Sequence, residues 1–278
     1  MRHILTILLL VNLLYADWRS ERESLENVSI NEPFRIFYSL SNKHKVLDQK
    51  AIKNIEDQLT LGYELLIKKR NLQEPLKNKN YHNKAYFIDV HILNLKHNGL
   101  AGDAIIKYNY KAIENSSYSI SMSLSNKLSK TNLTPLHELV HIYQNAYTKI
   151  KNRWVTEGIA RLLEELIRDR KISSIKLPSN KAELKHVVSK TYDNAKFFKR
   201  FEELCKKDIF IKSFFEELSA QDNIIAKKYH YDKEDWKEKE QKSSKNNPFI
   251  FQALQNTIKR TCPDNNNEIN TFYTLLKN

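Results

Sequence analysis

The amino-acid sequence predicts an α+β fold, a small N-terminal mixed sheet with helices followed by a mainly helical C-terminal half. Three observations predict it. Alternating runs rich in aromatic and β-branched residues are confined to the chain before Ser125. Beyond that point apolar residues recur at helical spacing only. The 278 residues, 41% of them apolar, can bury a sizeable core without a disulfide or metal merely to fold. Strands first and helices afterwards is the order of an α+β domain. The presence of only 4 Gly and 6 Pro excludes collagen-like and linker-rich architectures.

The first element is an address. Met1-Arg2-His3 is a short basic start, and Ile4 to Leu14 is an eleven-residue, mostly apolar run that ends at Tyr15-Ala16. Such a run is too short to cross a bilayer core of about 30 Å, which takes about 20 helical residues. It matches a secretory signal peptide over residues 1–16, with cleavage after Ala16. The expected location is therefore secreted or periplasmic, with no stable membrane insertion once the signal is removed. The mature chain divides into an N-terminal α/β part (17–126) and a helical part (127–278). Cys205 and Cys262 are the only two cysteines. In an exported chain they form a disulfide or remain as two buried thiols.

Phe34 to Leu40 alternates as a strand, and Leu47 to Lys69 has the apolar spacing of an amphipathic helix. Tyr86 to Leu95, Ala104 to Tyr110 and Tyr118 to Leu124 supply three more strands. Gly99 and Gly102 stand ahead of the third strand of the chain, where a backbone can approach closely. A helix begins at Thr134-Pro135, with Thr as N-cap, and runs to about Tyr147. Another extends from near Thr156 through Arg168. Helical spacing continues over 181–204, 207–219, 222–228 and 233–240, and polar breaks at 241–248 and 263–270 flank a last short helix.

Charge leaves several partner classes open. Lys and Arg number 46 against 33 Asp and Glu, a net +13, and loss of Arg2 with the signal peptide brings this to +12. That excess attracts anionic polymers, lipid or nucleic acid. The lysines are scattered among glutamates, which fits a Lys-rich composition better than a binding patch. Without a recognisable motif, nucleic acid is not an expected partner.

The chemistry-bearing segment is His137-Glu138-Leu139-Val140-His141, an HExxH motif. Positions four apart on a helix differ by 40°, so both imidazoles leave one face a turn apart and can reach one ion at about 2.0–2.1 Å. Glu138, rotated 100° from His137, is placed to act on a water at that ion. Chance produces the motif in roughly 1 such chain in 50. Trp154-Val155-Thr156-Glu157-Gly158-Ile159-Ala160 adds to it, because a returning helix can bring Glu157 to the ion and complete a His₂Glu set with one open position. Gly158 would permit close packing against the HExxH helix. Glu164 and Glu165 are rival ligands, better explained as solvated pairs with Arg161 and Arg168.

HELVHIYQ (137–144) followed by WVTEGIA (154–160) resembles the gluzincin metallopeptidases, in particular the peptidase MA-like group, with aminopeptidase-N-like enzymes and bacterial collagenases as more distant relatives. The resemblance covers about residues 118–240, and the two motifs are its specific part. It implies a zincin-like fold, a Zn²⁺ ion held by His137, His141 and Glu157, Glu138 as general base, and a peptide or protein substrate. In aminopeptidase-N-like relatives the Tyr of a Tyr-x-Lys-Gly stretch stabilises the oxyanion. Tyr192 takes the similar position, with Asn194-Ala195 in place of Lys-Gly, and His230 is the rival donor. Arg161 stands where some gluzincins carry an Asp that orients a zinc-binding His. The Gly-x-Met-Glu-Asn stretch that captures a free amine in aminopeptidases is absent, which points to an endopeptidase. The stretch from Gly99 to Ala104 precedes a strand that could take an extended peptide by strand addition. The alternative is a secreted, non-catalytic binding protein on the same scaffold, attaching through its positive charge and 14 Tyr to an anionic cell-envelope polymer.

Overall fold

The computed structural model describes residues 18–46, 48–168, 171–232 and 235–277. The expected signal peptide, residues 1–16, lies outside them. The fold is α+β, with a mixed sheet in the N-terminal part and helices after it. The chain divides into two compact units, one reaching up to Leu59 and taking in Tyr81–Glu138, the other made of Thr60–Asn80 and Leu139–Asn278. Among the described residues, no helix is long and apolar enough to cross a membrane.

The first unit holds a six-stranded sheet. Its strands are β1 (Asn27–Asn31), β2 (Phe34–Tyr38), β3 (Phe87–Leu93), β4 (Gly99–Ala101), β5 (Ile106–Lys107) and β6 (Tyr118–Ser125). The order is β1-β2-β3-β6-β4, with β5 also paired to β6. β2, β3 and β6 run parallel, and β1, β4 and β5 are antiparallel to their neighbours. β1 was not expected, because NVSIN is only five residues long and carries just two apolar residues, Val28 and Ile30. The third expected strand, 104–110, shrinks to two residues, while Gly99–Ala101 is itself a strand at the end of the sheet order rather than a lead-in to one.

YSISMSLS in β6 shows how sequence sets the two faces. Ile120, Met122 and Leu124 register with Ile88, Val90 and Ile92 of β3 to form an apolar face almost free of solvent. Each such side chain contributes about 1.5–3 kcal/mol by burial. Helix α1 (Gln49–Arg70) buries Ile52, Ile55 and Leu59, and Ile55 lines one small cavity together with Ile92. The serines point the other way, into a buried polar network. Asp89 accepts from Arg35 Nε (2.7 Å) and Nη2 (2.9 Å), from Tyr110 Oη (2.7 Å) and from Ser119 Oγ (2.5 Å). This saturation is what lets a charged pair sit in the interior. Tyr110 spends its one proton on Asp89, so His91 Nε2, 2.7 Å away, must donate to it. Burial holds the imidazole of His91 well below its usual pKa.

The second unit is helical: the C-terminal part of α2 (Thr134–Tyr147), then α3 (Arg153–Leu163), α4 (Lys181–Ser189), α5 (Ala195–Leu204), α6 (Lys207–Tyr229), α7 (Glu238–Gln241), α8 (Asn247–Thr261) and α9 (Asn267–Lys277). Its core stacks Trp154, Phe197, Phe198, Phe201, Phe210, Phe214 and Phe272. Three expectations are corrected here. The helix expected over 181–204 breaks at 190–194, where Asn194 turns inward and donates to the carbonyls of Val187 (2.9 Å) and Trp154 (3.1 Å). The segments 207–219 and 222–228 are one helix, since Ser219 to Gln221 carry no breaker. The polar stretch 263–270 starts α9 instead of ending the fold, with Asn266 Oδ1 accepting from Ile269 N–H (3.1 Å). Cys205 and Cys262, the C-caps of α5 and α8, are disulfide-bonded.

Candidate metal centre

The site starts with how α2 begins. Asn132 Oδ1 accepts from both Thr134 N–H (2.8 Å) and Thr134 Oγ1 (2.6 Å), and Leu133 O accepts from His137 N–H (3.0 Å). Asn132, rather than the expected Thr134, therefore supplies the capping oxygen. Leu136, Leu139, Val140 and Tyr143 are fully buried, which fixes the rotation of the helix about its axis. That rotation leaves His137, Glu138 and His141 together on the remaining face. His137 and Glu138 are each 7% exposed.

Helix α3 is anchored in three places. Asn152 Nδ2 donates to Ser243 O (3.0 Å) and Asn247 Oδ1 (3.2 Å) at its start. Trp154 Nε1 donates to Asn247 Oδ1 (3.0 Å). Gly158 presses on the turn after α4: a Cβ there would lie 2.8 Å from Asn194 Cβ and 3.2 Å from Phe198 Cδ2. The small residue thus serves packing on Asn194 and α5, a correction to its expected role against the HExxH helix.

Among the described residues, His137, His141 and Glu157 form a group whose ligand atoms all lie within 4.8 Å of one another, able to hold a metal ion. Donors each about 2.1 Å from a tetrahedral ion stand about 3.4 Å apart. His141 Nε2 and Glu157 Oε2 are 3.6 Å apart, so this pair needs almost no movement to close on an ion. The donor set, two imidazoles and one carboxylate, fits a divalent transition ion with a further position left for an exogenous oxygen.

A residue that the motif reading missed sets the tautomer of His141. Gln144 Nε2 donates to Thr156 O (3.0 Å), and a carbonyl can only accept, so the amide end of Gln144 is fixed. Its Oε1 then faces His141 Nδ1 at 2.6 Å, which requires the proton on Nδ1 and the lone pair on Nε2. Gln144 thereby orients this imidazole, while Arg161 is taken up by Glu164. It also ties the second imidazole to the residue immediately before Glu157. The signal was present, since Gln144 lies three residues after His141 on the same helix face.

The remaining candidates separate clearly. Tyr192, in a single 3₁₀ turn over Tyr192–Asn194, hydrogen-bonds both Glu157 and Arg153. Partial burial raises its pKa most, and the Glu157 charge adds to this. Arg153 lies with Nε 3.8 Å from Glu157 Oε1. Glu164 is buried between Arg161 (2.5 Å) and Arg168 (3.0 Å), and Glu165 pairs with Lys199 (2.6 Å) instead of the expected arginines. His230 is the exposed left-handed C-cap of α6 (φ 57°), with no part in the cluster.

Gly99 controls the room around Glu138. A Cβ on it would lie 2.5 Å from Thr134 Cγ2, 2.7 Å from Glu138 Cγ and 2.9 Å from Glu138 Oε1. The bare backbone of β4 therefore runs directly beside the carboxylate that follows His137. No family model matches the chain, and searches of the curated proteins and of the solved structures likewise find no match.

Proposed function

We propose that the protein is an exported zinc-dependent peptidase, and that it cleaves internal peptide bonds. The observation that carries this reading is the convergence of His137, His141 and Glu157 within 4.8 Å, on a helix where Glu138 immediately follows the first imidazole. Two imidazoles and one carboxylate, with a fourth position open, make up the usual donor set of a catalytic zinc. When bound, zinc supplies Lewis acidity toward a peptide carbonyl and an attacking water.

Glu138 takes the proton from water as its oxygen bonds to the carbonyl carbon, and gives it to the amide nitrogen as the C–N bond breaks. Its burial beside Gly99 keeps the carboxylate poorly hydrated and aimed. Tyr192, once turned from Glu157, has a hydroxyl that can donate to the developing oxyanion. β4 offers its outer side to an extended peptide by strand addition, with Leu100 exposed on it. The signal-like residues 1–16 and the Cys205–Cys262 bond support export.

The test is chelator-sensitive digestion of a proteome-derived peptide pool by the purified mature protein, beside Glu138→Gln and Glu157→Ala. Glu138→Gln should retain stoichiometric zinc while hydrolysis falls about 10²–10⁴-fold. Glu157→Ala should lose metal. Full activity in Glu138→Gln overturns the mechanism. Salt-sensitive attachment to an anionic envelope polymer with no hydrolysis of any peptide would favour the non-catalytic binding protein.

A further inference from the structure

Arg153 opens α3, one turn before Glu157. Helix stability does not account for it. A cation in the first turn meets the positive end of the helix dipole, and Arg four residues ahead of Glu is the weaker order for such a pair. The contact is also loose. Nε stands 3.8 Å from Glu157 Oε1, against 2.7 Å in the buried Arg35–Asp89 pair, and the Arg153 side chain is 57% exposed. Glu157 keeps its other oxygen toward His141, and Tyr192 touches both Arg153 and Glu157. Arg153 thus stands more than half exposed beside a candidate metal ligand, in contact with Glu157 through Nε and with Tyr192.

We propose that Arg153 receives a carboxylate of the substrate, within one or two residues of the bond that is cut, and so directs the site toward acidic peptides. This rests on the peptidase reading for what the carboxylate is attached to. A guanidinium fork matches a carboxylate through two parallel N–H···O bonds, a geometry that Lys cannot reproduce. An extended peptide rises about 3.3 Å per residue, so side chains next to a carbonyl held near Glu157 fall within reach of a long, exposed Arg. The net charge of +12 left once the signal peptide is removed draws anionic chains toward the protein in general. The carboxylate can belong to an acidic side chain, as cleavage of internal bonds requires, or to the peptide's own C-terminus, in which case the cuts lie at the chain end and the internal-bond reading falls.

The experiment measures binding of dye-labelled pentapeptides to zinc-loaded Glu138→Gln protein by fluorescence anisotropy. The probes are an end-blocked peptide with a central Glu, the same peptide with Gln, and the Gln peptide with a free C-terminal carboxylate. An anionic probe should bind about tenfold more tightly than the blocked Gln peptide, and added salt should erode the difference. Adding Arg153→Gln should reduce the discrimination to within about twofold, with Arg153→Lys recovering only part of it. Preference for the Glu probe assigns the carboxylate to a side chain, and preference for the free terminus assigns it to the chain end. Equal affinity for all three probes, discrimination that survives Arg153→Gln, or no binding of any probe overturns the proposal. Wild-type digestion of a peptide pool reads the peptidase assignment separately. Chelator-sensitive cuts biased neither toward acidic side chains nor toward the chain end sink the role of Arg153 alone, and absence of cuts sinks the peptidase alone.

Discussion

Gln144→Leu tests the most specific claim about the metal centre, that an amide bridge sets the tautomer of one ligand and ties it to the helix carrying another. Leucine nearly preserves volume at a site 3% exposed, so packing changes little. The substitution removes the 2.6 Å bond at His141 Nδ1 and the 3.0 Å bond to Thr156 O. A net hydrogen bond is worth about 1 kcal/mol, and a buried donor left without a partner costs about 1–3 kcal/mol. Loss of an outer partner of a ligating His typically weakens metal binding 10–100-fold, about 1.4–2.7 kcal/mol. Competitive titration of zinc against a chromophoric chelator reads this, and urea unfolding of the metal-free protein reads the stability component. Gln144→Glu separates the two bonds. A carboxylate accepts from Nδ1–H but has nothing to donate to the Thr156 carbonyl. It should therefore hold zinc affinity near the parent value while losing stability. Zinc affinity unchanged in Gln144→Leu, or lost equally in both variants, would refute the bridge.

Gly99→Ala should lower hydrolysis about 10²-fold at unchanged zinc content, because the added methyl lies 2.7 Å from Glu138 Cγ and must displace the base without touching a ligand; zinc stoichiometry beside kcat checks it. Asp222, on α6, accepts from Thr148 Oγ1 (2.8 Å) and Lys149 N–H (3.1 Å) in the loop between α2 and α3, and burial pushes its pKa up to about 6. A carboxyl whose folded pKa lies above its unfolded one favours the fold when protonated, so stability relative to Asp222→Asn should fall by about 2.4 kcal/mol between pH 4 and pH 7. Parallel denaturant titrations across that range check the sign as well as the size. Reduction of the Cys205–Cys262 bond, which closes a loop with a sequence separation of 57, should lower unfolding free energy by about 4 kcal/mol on the chain-entropy account. An unchanged urea midpoint after reduction would count against that.

The parts of the site that the sequence discloses are those fixed by local repeat. His137 and His141 must share a face because the helix repeat is 3.6 residues, and WVTEGIA marks a second helix carrying Glu157, although that helix begins at Arg153, ahead of the expected start near Thr156. The parts that stayed hidden depend on partners distant along the chain. Gln144 is visible as an i+3 neighbour, but no local rule says that its far end meets Thr156 O. Gly158 was read against the wrong helix because the inward turn at Asn194 carries no Gly or Pro to announce it. The same blindness governs the sheet. Arg35 and Asp89 look like solvent-facing charges, whereas β2 and β3 are adjacent parallel strands and Tyr110 and Ser119 complete the shell around Asp89. The helix at 267–277 was lost for the opposite reason, since a run of Asn reads as a break until one of them acts as a cap.

These placements give α3 two sides with separate duties. Its inner side is over-determined: Thr156 by Gln144, Trp154 by Asn194 and Asn247, and Gly158 by Asn194. A carboxylate presented from such a helix has little freedom, which is what a pre-organised ligand requires. Arg153 and Tyr192 stand on the outer side, exposed and joined to Glu157 by polar contacts alone. They can exchange Glu157 for another partner without moving the helix. It follows that substitutions at Gln144, Gly158 or Asn194 should act through metal affinity and stability together. Substitutions at Arg153 should instead change which peptide is held while leaving the zinc affinity near the parent value. If Arg153→Gln weakened zinc binding as much as Gln144→Leu, the two sides would not be independent, and the guanidinium would be part of the ligand scaffold rather than a receiver of substrate.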